Sequence, residues 1–139
     1  KEEKYYFDII INTIVLSIAY SAASSILAAG TKGYRWARPG SAIMMHPCHY
    51  QLGQDDDHKQ KRTAEFFEKR ILHYNRILAK NCGFNTEKKY NKFIEDIRSG
   101  KWLLADEAVK YGVVDKIVDR IVYVNKCDKC GIPGGFKLY

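Results

Sequence analysis

The uncharged stretch IIINTIVLSIAYSAASSILAAG, residues 9–30, determines how the rest of the chain is interpreted. It is long enough to cross a bilayer, but its repeated Asn, Thr, Ser and Tyr side chains are costly in lipid. Its first half, IIINTIVL, is β-branched and apolar, which is typical of a strand buried on both faces of a parallel sheet. Its second half is small and helix-permissive and ends at Gly30, a natural helix cap. We therefore predict a strand, a tight turn and a buried helix rather than a membrane span.

The composition indicates one domain that needs no disulfides. The chain has 139 residues, 46% of them hydrophobic and 28% charged, and its four cysteines are scattered, which favours a reducing compartment. The net charge of +7 comes largely from the segment 59–80, where basic residues alternate with acidic and apolar ones. That pattern is typical of a solvated helix face, so we do not expect a nucleic-acid partner. The opening KEEKYYFD lacks the features of a signal peptide and suggests a processed or truncated start.

The remaining chain continues an alternation of strands and helices. GYRWARPGSAIMMHP predicts two short extended pieces around Pro39-Gly40, the second ending at His46. The acidic residues 55–57 predict the start of a long helix that Gly83 closes, and a shorter helix begins near Thr86. LLADEAVKYG predicts a helix capped by Gly112, and VVDKIVDRIVYV predicts a strand. The long helix carries one apolar stripe: Phe67, Ile71, Tyr74 and Leu78.

Two residues at predicted strand ends have the chemistry of acyl transfer. Ser21 lies nearest the turn between the first strand and helix, where a hydroxyl is held at a sharp bend beside free helix amides. His46 ends a predicted strand and is a candidate base, which in turn needs a group that orients it. The alternative is that the serine only packs among small residues and the histidine is an ordinary surface group.

AASSILAAGTKGYRWARPGSAIMMHP and, after a long helix, KWLLADEAVKYGVVDKIV resemble the Clp protease proteolytic subunit family, ClpP and ClpR. The resemblance covers about residues 9–119. It implies an α/β spiral of β-strand and helix repeats, shared with the crotonase superfamily, that is incomplete here at the N-terminus. It also implies a head with a protruding handle helix at about 56–82 within a domain over 1–122, followed by a flexible tail at 123–139.

The resemblance assigns roles to three residues. An ungapped alignment through Gly30 places Ser21 at the nucleophile and His46 at the base, and makes the backbone of Ala22 the oxyanion-hole candidate. A competing alignment through Ser24 requires a deletion inside the helix, and we reject it.

The third position of the triad departs from the family. Alignment on Trp102 places Gly100 where the family has its catalytic aspartate. Asp96 lies out of register, although a loop rearrangement is an alternative that would bring it to the histidine. Near the nucleophile, Ser17 and Tyr20 replace smaller residues, and the Tyr20 ring is expected to crowd the substrate approach. Pro47 follows the histidine where the family has a polar residue, and the family's upstream Gly-Gly segment does not occur in this sequence.

These departures favour a ClpR-like, catalytically inactive subunit of an ATP-dependent proteolytic ring. Its expected partners are further copies in a heptamer, active ClpP subunits, an AAA+ unfoldase and unfolded polypeptide, without nucleic acid or membrane. One alternative is an active serine endopeptidase with a replaced third group, and a remote one is a crotonase-like acyl-CoA binder. An Asn-, Lys-, Ile- and Tyr-rich composition together with the ClpR resemblance favours a plastid-type organelle over a mitochondrial matrix or bacterial cytoplasm.

We expect no cofactor and no metal site. Cys127 and Cys130 form a single CxxC without a second ligand pair, which is a weak zinc signal against a loose tail with two thiols. Cys48 and His49 follow His46 closely, but with Pro47 in between they are more typical of a loop than of metal ligands. The acidic residues 55–57 lack the spacing of a calcium loop and are explained by a helix cap.

Overall fold

A computed structural model describes residues 9–49, 56–126 and 133–138 of the chain. The helices are α1 (Ala22–Ala28), α2 (Asp57–Asn81), α3 (Glu87–Ile97) and α4 (Ala105–Tyr111). The strands are β1 (Thr13–Val15), β2 (Ile18–Tyr20), β3 (Arg35–Ala37), β4 (Ala42–Met45), β5 (Lys101–Leu104), β6 (Lys116–Ile117), β7 (Ile121–Lys126) and β8 (Pro133–Leu138). The mixed α/β class predicted from the sequence is confirmed.

The strands form two small three-stranded sheets and a hairpin. In one sheet the order is β1-β3-β6 with parallel neighbours, and in the other it is β2-β4-β5, parallel and then antiparallel. β7 and β8 pair with each other as an antiparallel hairpin. The buried core includes Ile43, Met45, Phe93, Ile97 and Val113, so it joins β4, α3 and the chain after α4.

The opening stretch folds as strand, turn and helix, but its predicted burial is wrong. Ile9, Ile10 and Ile11 are 80%, 51% and 56% exposed, and in β2 only Ala19 is buried. The physical reason is that residues 9–11 precede β1, and that β2 has one open face, with Ile18 and Tyr20 exposed on either side of the buried Ala19. An apolar run alone does not distinguish an edge strand from a central one.

The helices agree closely with their sequence signals. Asp56 caps α2 by accepting a hydrogen bond from the Lys59 N–H, and Thr86 caps α3 in the same way through the Lys89 N–H. Gly112 ends α4 in the left-handed conformation, as predicted. Two strands differ from expectation: residues 103–104 belong to β5 rather than to α4, and the predicted strand over 113–124 divides into β6 and β7 in different sheets.

The C-terminal segment also differs from expectation. The predicted boundary at residue 122 lies inside β7, and the backbone of β8 pairs with β7 where a flexible tail is predicted. Gly134 and Gly135, two of the glycines that suggested a loose tail, are accommodated within β8, whose register aligns Gly135 with Val124. Cys127 and Cys130 lie outside the described residues.

A buried ion pair joins the segments that surround the core. Arg35, only 2% exposed, donates from Nη2 to Asp115 Oδ1 at 2.6 Å and from Nε to Oδ2 at 2.9 Å. Its Nη1 donates to the carbonyls of Ala28 and Asn81, at the ends of α1 and α2. The Asp115 carboxylate also accepts from the Gly33 and Arg35 N–H groups. The hydrogen bond from Arg35 is the main reason that the pKa of Asp115 lies below its ordinary value.

Within the described residues, no helix is both long and apolar enough to cross a membrane.

Candidate active site

Ser21 occupies the turn between β2 and α1. Its backbone has φ 57° and ψ −123°, and it is the one described residue other than glycine with a positive φ. Such a conformation costs about 1–3 kcal/mol and persists where the surrounding structure enforces it. Here the Ser21 N–H donates to the Met44 carbonyl at 3.0 Å, which extends the pairing of β2 with β4 into the turn.

The neighbouring serines have a structural role. The hydroxyls of Ser24 and Ser25 donate to the Ser21 carbonyl, at 2.7 Å and 3.4 Å. The backbone N–H groups of the same two residues also donate to that carbonyl. The hydroxyls of Ser24 and Ser25 therefore support the turn, and the Ser21 hydroxyl is left to contact His46.

His46 meets Ser21 because β2 and β4 are adjacent and parallel. Their register pairs Tyr20 with Met44, so the residues that follow each strand emerge at the same edge. The Nε2 atom of His46 lies 2.8 Å from the Ser21 hydroxyl. Pro47 favours an extended backbone at His46, so the chain continues in the direction of β4 through the histidine. The structure thus brings together the two residues that the sequence predicts as nucleophile and base.

The second ring nitrogen of His46 determines its protonation pattern. Nδ1 lies 2.6 Å from the Pro47 carbonyl oxygen. A carbonyl oxygen only accepts hydrogen bonds, so at this distance Nδ1 carries the proton. In the neutral ring Nε2 then holds the free electron pair, and the Ser21 hydroxyl donates to it. This is the arrangement that a serine nucleophile and its base require.

Among the described residues, no carboxylate is hydrogen-bonded to His46 to complete the pair. The antiparallel register of β4 with β5 pairs Met44 with Trp102 and Met45 with Lys101, and one further step places Gly100 opposite His46. Residues directly opposite each other on antiparallel strands point to the same face, with Cβ atoms about 5 Å apart. The position from which a side chain would reach the histidine is therefore occupied by glycine.

Asp96 does not take the place of that side chain. Its carboxylate accepts a hydrogen bond from the Tyr111 hydroxyl at 3.1 Å, and among the described residues no hydrogen bond joins it to His46. Burial, followed by the charge and hydrogen bond of Asp96, raises the pKa of Tyr111 well above its ordinary value. Asp96 is thus part of the contact between α3 and α4, and the alternative that it orients the histidine is wrong for this structure.

Two clefts open beside Ser21. The smaller has a volume of about 160 Å³ and its lining comprises Ser21, Ala22, Ser25, His46, Cys48, His49 and Tyr74. The larger, of about 470 Å³, shares Ala22, Cys48, His49 and Tyr74 and continues along α2 past Phe67, Ile71 and Ile77. Ala22 begins α1, so its N–H has no acceptor within the helix, and the residue lines both clefts.

The Tyr20 ring lies elsewhere. It is 61% exposed, it is not part of the lining of either cleft, and its register aligns it with Met44 and Trp102 on the outer face of the sheet. The expected crowding of the substrate approach by Tyr20 is therefore not seen. Tyr74, on α2, is the tyrosine that borders the cleft.

Sequence reasoning missed three groups at this site. His49 stacks on His46 with ring centroids 5.2 Å apart and an interplanar angle of 8°. Cys48 lines both clefts, and the Pro47 carbonyl is the acceptor of Nδ1. The sequence HPCH, residues 46–49, contains a signal for these groups, because residues that directly follow the base in the chain remain close to it. Their geometry, however, depends on the conformation of the loop. In the described part of the chain, no three His, Cys, Asp or Glu side chains are grouped as a metal ion requires.

The strained serine turn, the Ser21–His46 contact and the two sheets agree with a comparison against known families. Residues 6–121 match the family described as Clp protease. This chain belongs to the Clp protease family. The match covers β1 to β6 and all four helices, and it confirms the resemblance and the ClpP-type fold predicted from the sequence.

Clp relatives are identical to this chain at about a third of the aligned positions. Subunit 4 of the chloroplastic ATP-dependent Clp protease of Arabidopsis thaliana is 34% identical over 110 residues, 78% of this chain and 36% of the relative. Proteolytic subunit 2 of Frankia casuarinae is 36% identical over 109 residues, 78% of this chain and 48% of the relative. Proteolytic subunit 1 of Thermobifida fusca is 36% identical over 112 residues, which are 78% of this chain and 47% of the relative. The chain thus spans less than half the length of these relatives.

Proposed function

We propose that this chain is a ClpR-like subunit of a Clp-type proteolytic ring, with a structural role and little or no peptide hydrolysis of its own. The observation that carries the proposal is the partner of His46. Gly100 takes the position opposite His46 when the β4–β5 register is continued by one step, and the Nδ1–H group donates a hydrogen bond to a neutral main-chain carbonyl 2.6 Å away instead of to a carboxylate.

The charge of the missing group explains why hydrolysis is slow. When Ser21 attacks an amide, its proton moves to His46, and the resulting imidazolium must persist until it protonates the leaving amine. A carboxylate stabilises that cation with a full negative charge, whereas a carbonyl offers a partial one. Loss of the aspartate in a serine protease lowers kcat by about 10⁴ even when the other two groups remain.

The ring role rests on the family and on α2. This helix extends over 25 residues, and Phe66, Leu72 and Ile77 are large apolar side chains exposed along it. We propose that it is the handle through which two rings meet, and that the head associates laterally with copies of itself or with active ClpP in a heptamer. An AAA+ unfoldase would dock on such a ring and deliver unfolded polypeptide. One relative is chloroplastic by name, which supports a plastid-type location.

Peptide cleavage and active-site labelling test the proposal. The purified chain, alone and mixed with an active ClpP subunit, is assayed with a fluorogenic peptide and with a fluorophosphonate probe. We expect the isolated chain to cleave the peptide at background level and to label more slowly than the active subunit. Stoichiometric labelling at the rate of the active subunit, lost in Ser21→Ala, would overturn the structural role.

A second candidate is an active serine endopeptidase. The 2.8 Å contact of Ser21 with His46 favours it, since two of the three triad groups are in place without a substrate. Under this alternative, peptide cleavage survives purification of the assembled ring and disappears in Ser21→Ala. Background cleavage by a correctly assembled ring of this chain excludes it.

A further inference from the structure

We infer that His46 is positioned by two groups in place of the family's aspartate: the Pro47 carbonyl, which fixes its tautomer, and the His49 ring, which fixes its plane. The pair of Ser21 and His46 then retains reactivity toward activated electrophiles although amide hydrolysis is slow. The inference rests on the proposed function for its account of the amide reaction, and its own readouts do not depend on peptide cleavage.

The tautomer follows from the chemistry of the Pro47 carbonyl. An imidazole in water interconverts between its Nδ1–H and Nε2–H forms, and only the first can accept a proton at Nε2. The carbonyl oxygen accepts a hydrogen bond from Nδ1–H at 2.6 Å and has no proton to donate. Because donor and acceptor belong to consecutive residues, the hydrogen bond needs no distant part of the fold.

The ring plane follows from the His49 stack. Two near-parallel rings, 8° apart in angle with centroids 5.2 Å apart, restrict rotation about the bonds that carry the imidazole. His46 is only half-buried, so the surrounding core does not fix its plane by itself. His49 is exposed and makes this contact from the wall of the cleft. In the family's arrangement, as the resemblance implies, an aspartate would perform both functions.

Fluorophosphonates and amides differ in the proton transfers that they require of His46. With a fluorophosphonate, Ser21 Oγ forms a bond to phosphorus, the P–F bond breaks, and fluoride leaves with the electron pair while the hydroxyl proton passes to Nε2. Fluoride needs no proton to leave. An amine leaving group must take the proton back from the imidazolium, which a carbonyl stabilises poorly. The assembled pair therefore supports the first reaction better than the second.

Nitrogen NMR measures the tautomer directly. In the uniformly ¹⁵N-labelled chain at neutral pH, we expect His46 to show a protonated Nδ1 and an unprotonated Nε2. His46→Gln identifies the signal, and His58→Ala, which removes an exposed histidine of α2, controls for the removal of a ring elsewhere. A predominant Nε2–H form, or an even mixture of the two forms as in free imidazole, overturns the role of the Pro47 carbonyl.

A pair of His49 variants tests the stack. His49→Ala removes the ring, and we expect fluorophosphonate labelling of Ser21 to slow by about tenfold, the size of effect expected from one aromatic contact. His49→Phe retains a flat ring without ionisable nitrogens and should label within about twofold of the parent. Equal rates for all three proteins overturn the role of His49, and so does a Phe variant as slow as the Ala variant.

The outcomes separate the inference from the proposed function. Rapid peptide cleavage combined with the Nδ1–H tautomer contradicts the inactive subunit and supports the positioning groups. Background cleavage combined with the Nε2–H tautomer does the reverse. A protein with the expected tautomer and no labelling under conditions that saturate an active subunit overturns the retained reactivity.

Discussion

The molecule supplies acceptors for two basic side chains in opposite ways. The Arg35 guanidinium, buried in the core, contacts the Asp115 carboxylate. That carboxylate accepts four hydrogen bonds in all, from Gly33 N, Arg35 N, Arg35 Nε and Arg35 Nη2. His46, half-buried at the cleft, meets one neutral carbonyl and a stacked ring. We call these the charged clasp and the neutral dyad.

The difference shows which charge the fold itself requires. A buried cation without a counter-charge is strongly destabilising, so the charged clasp is needed for folding. A histidine can remain neutral at a half-buried site, so the neutral dyad folds without a carboxylate and loses only the ability to stabilise a transient cation. Under the proposed function, the chain keeps the negative charge that stability needs, whereas no described carboxylate supplies the one that catalysis would need at His46.

Restoring the carboxylate at the dyad should have the largest effect. We expect Gly100→Asp to raise peptide cleavage by about 10² to 10⁴, because position 100 lies opposite His46 in the strand register. The added Cβ meets only Met44 Sδ, at 3.7 Å, an ordinary contact. Gly100 has φ +87°, and a side chain there costs about 1–2 kcal/mol, which Asp tolerates better than most residues. Peptide hydrolysis at equal concentrations of folded protein measures the effect.

Gly100→Asn is the matched control for that substitution. It has nearly the same shape and the same backbone cost but lacks the negative charge, so its cleavage rate should stay near that of the parent. If both variants remain at background although labelling and folding are intact, the missing carboxylate is not what limits the dyad. If Asn raises the rate as much as Asp, orientation rather than charge is decisive.

Breaking the charged clasp should lower stability by the next largest amount. Arg35→Ala leaves the Asp115 carboxylate and the carbonyls of Ala28 and Asn81 without their donor, and we expect a loss of about 3–5 kcal/mol in the free energy of unfolding. The matched control is Arg76→Ala, which removes the exposed, solvent-screened ion pair with Glu87 and should lower the free energy of unfolding far less. Urea denaturation measures both. Equal losses in the two variants would contradict the distinction.

The clasp also predicts destabilisation in acid. Because the pKa of Asp115 is lower in the folded chain than in the unfolded one, its contribution to stability is complete above the unfolded value of about 3.9. It is then lost as the pH falls through the lowered folded pKa. We expect the free energy of unfolding to decline as the pH falls below about 4 in the parent, and less steeply in Asp115→Asn. An identical slope in the two proteins would assign the acid sensitivity to other groups.

Local signals in the sequence were sufficient for much of this fold. Caps at Asp56, Thr86 and Gly112 located helix ends because they act within a few residues of themselves. The burial of residues 9–11 and the pairing of β8 were mispredicted, since both depend on where the strands begin and which segments lie against them. Ser21 and His46 could be found because each follows a strand, and parallel strands end at the same edge of a sheet.

The partners of those two residues could not be found in the same way. The clasp joins Arg35 to Asp115, eighty residues apart, and an arginine in a strand gives no sign of where its carboxylate lies. The Nδ1 acceptor is the residue next to His46, yet a main-chain carbonyl is present everywhere and has no sequence signature. The Tyr20 ring was predicted wrongly because successive side chains along a strand point to opposite faces, so the neighbour of Ser21 points away from it.

Tyr20→Ala should therefore have the smallest effect of the changes considered. The ring is exposed on the outer face of the sheet and does not line the cleft at Ser21, so labelling of Ser21 should change by less than about twofold, and the free energy of unfolding by less than about 0.5 kcal/mol. Tyr74→Ala is the contrasting variant, because that residue borders the cleft and its removal alters the surroundings of the hydroxyl. If instead Tyr20→Ala speeds labelling tenfold while Tyr74→Ala does not, Tyr20 covers the nucleophile in solution. Steric access, together with the neutral acceptor of His46, would then limit the dyad.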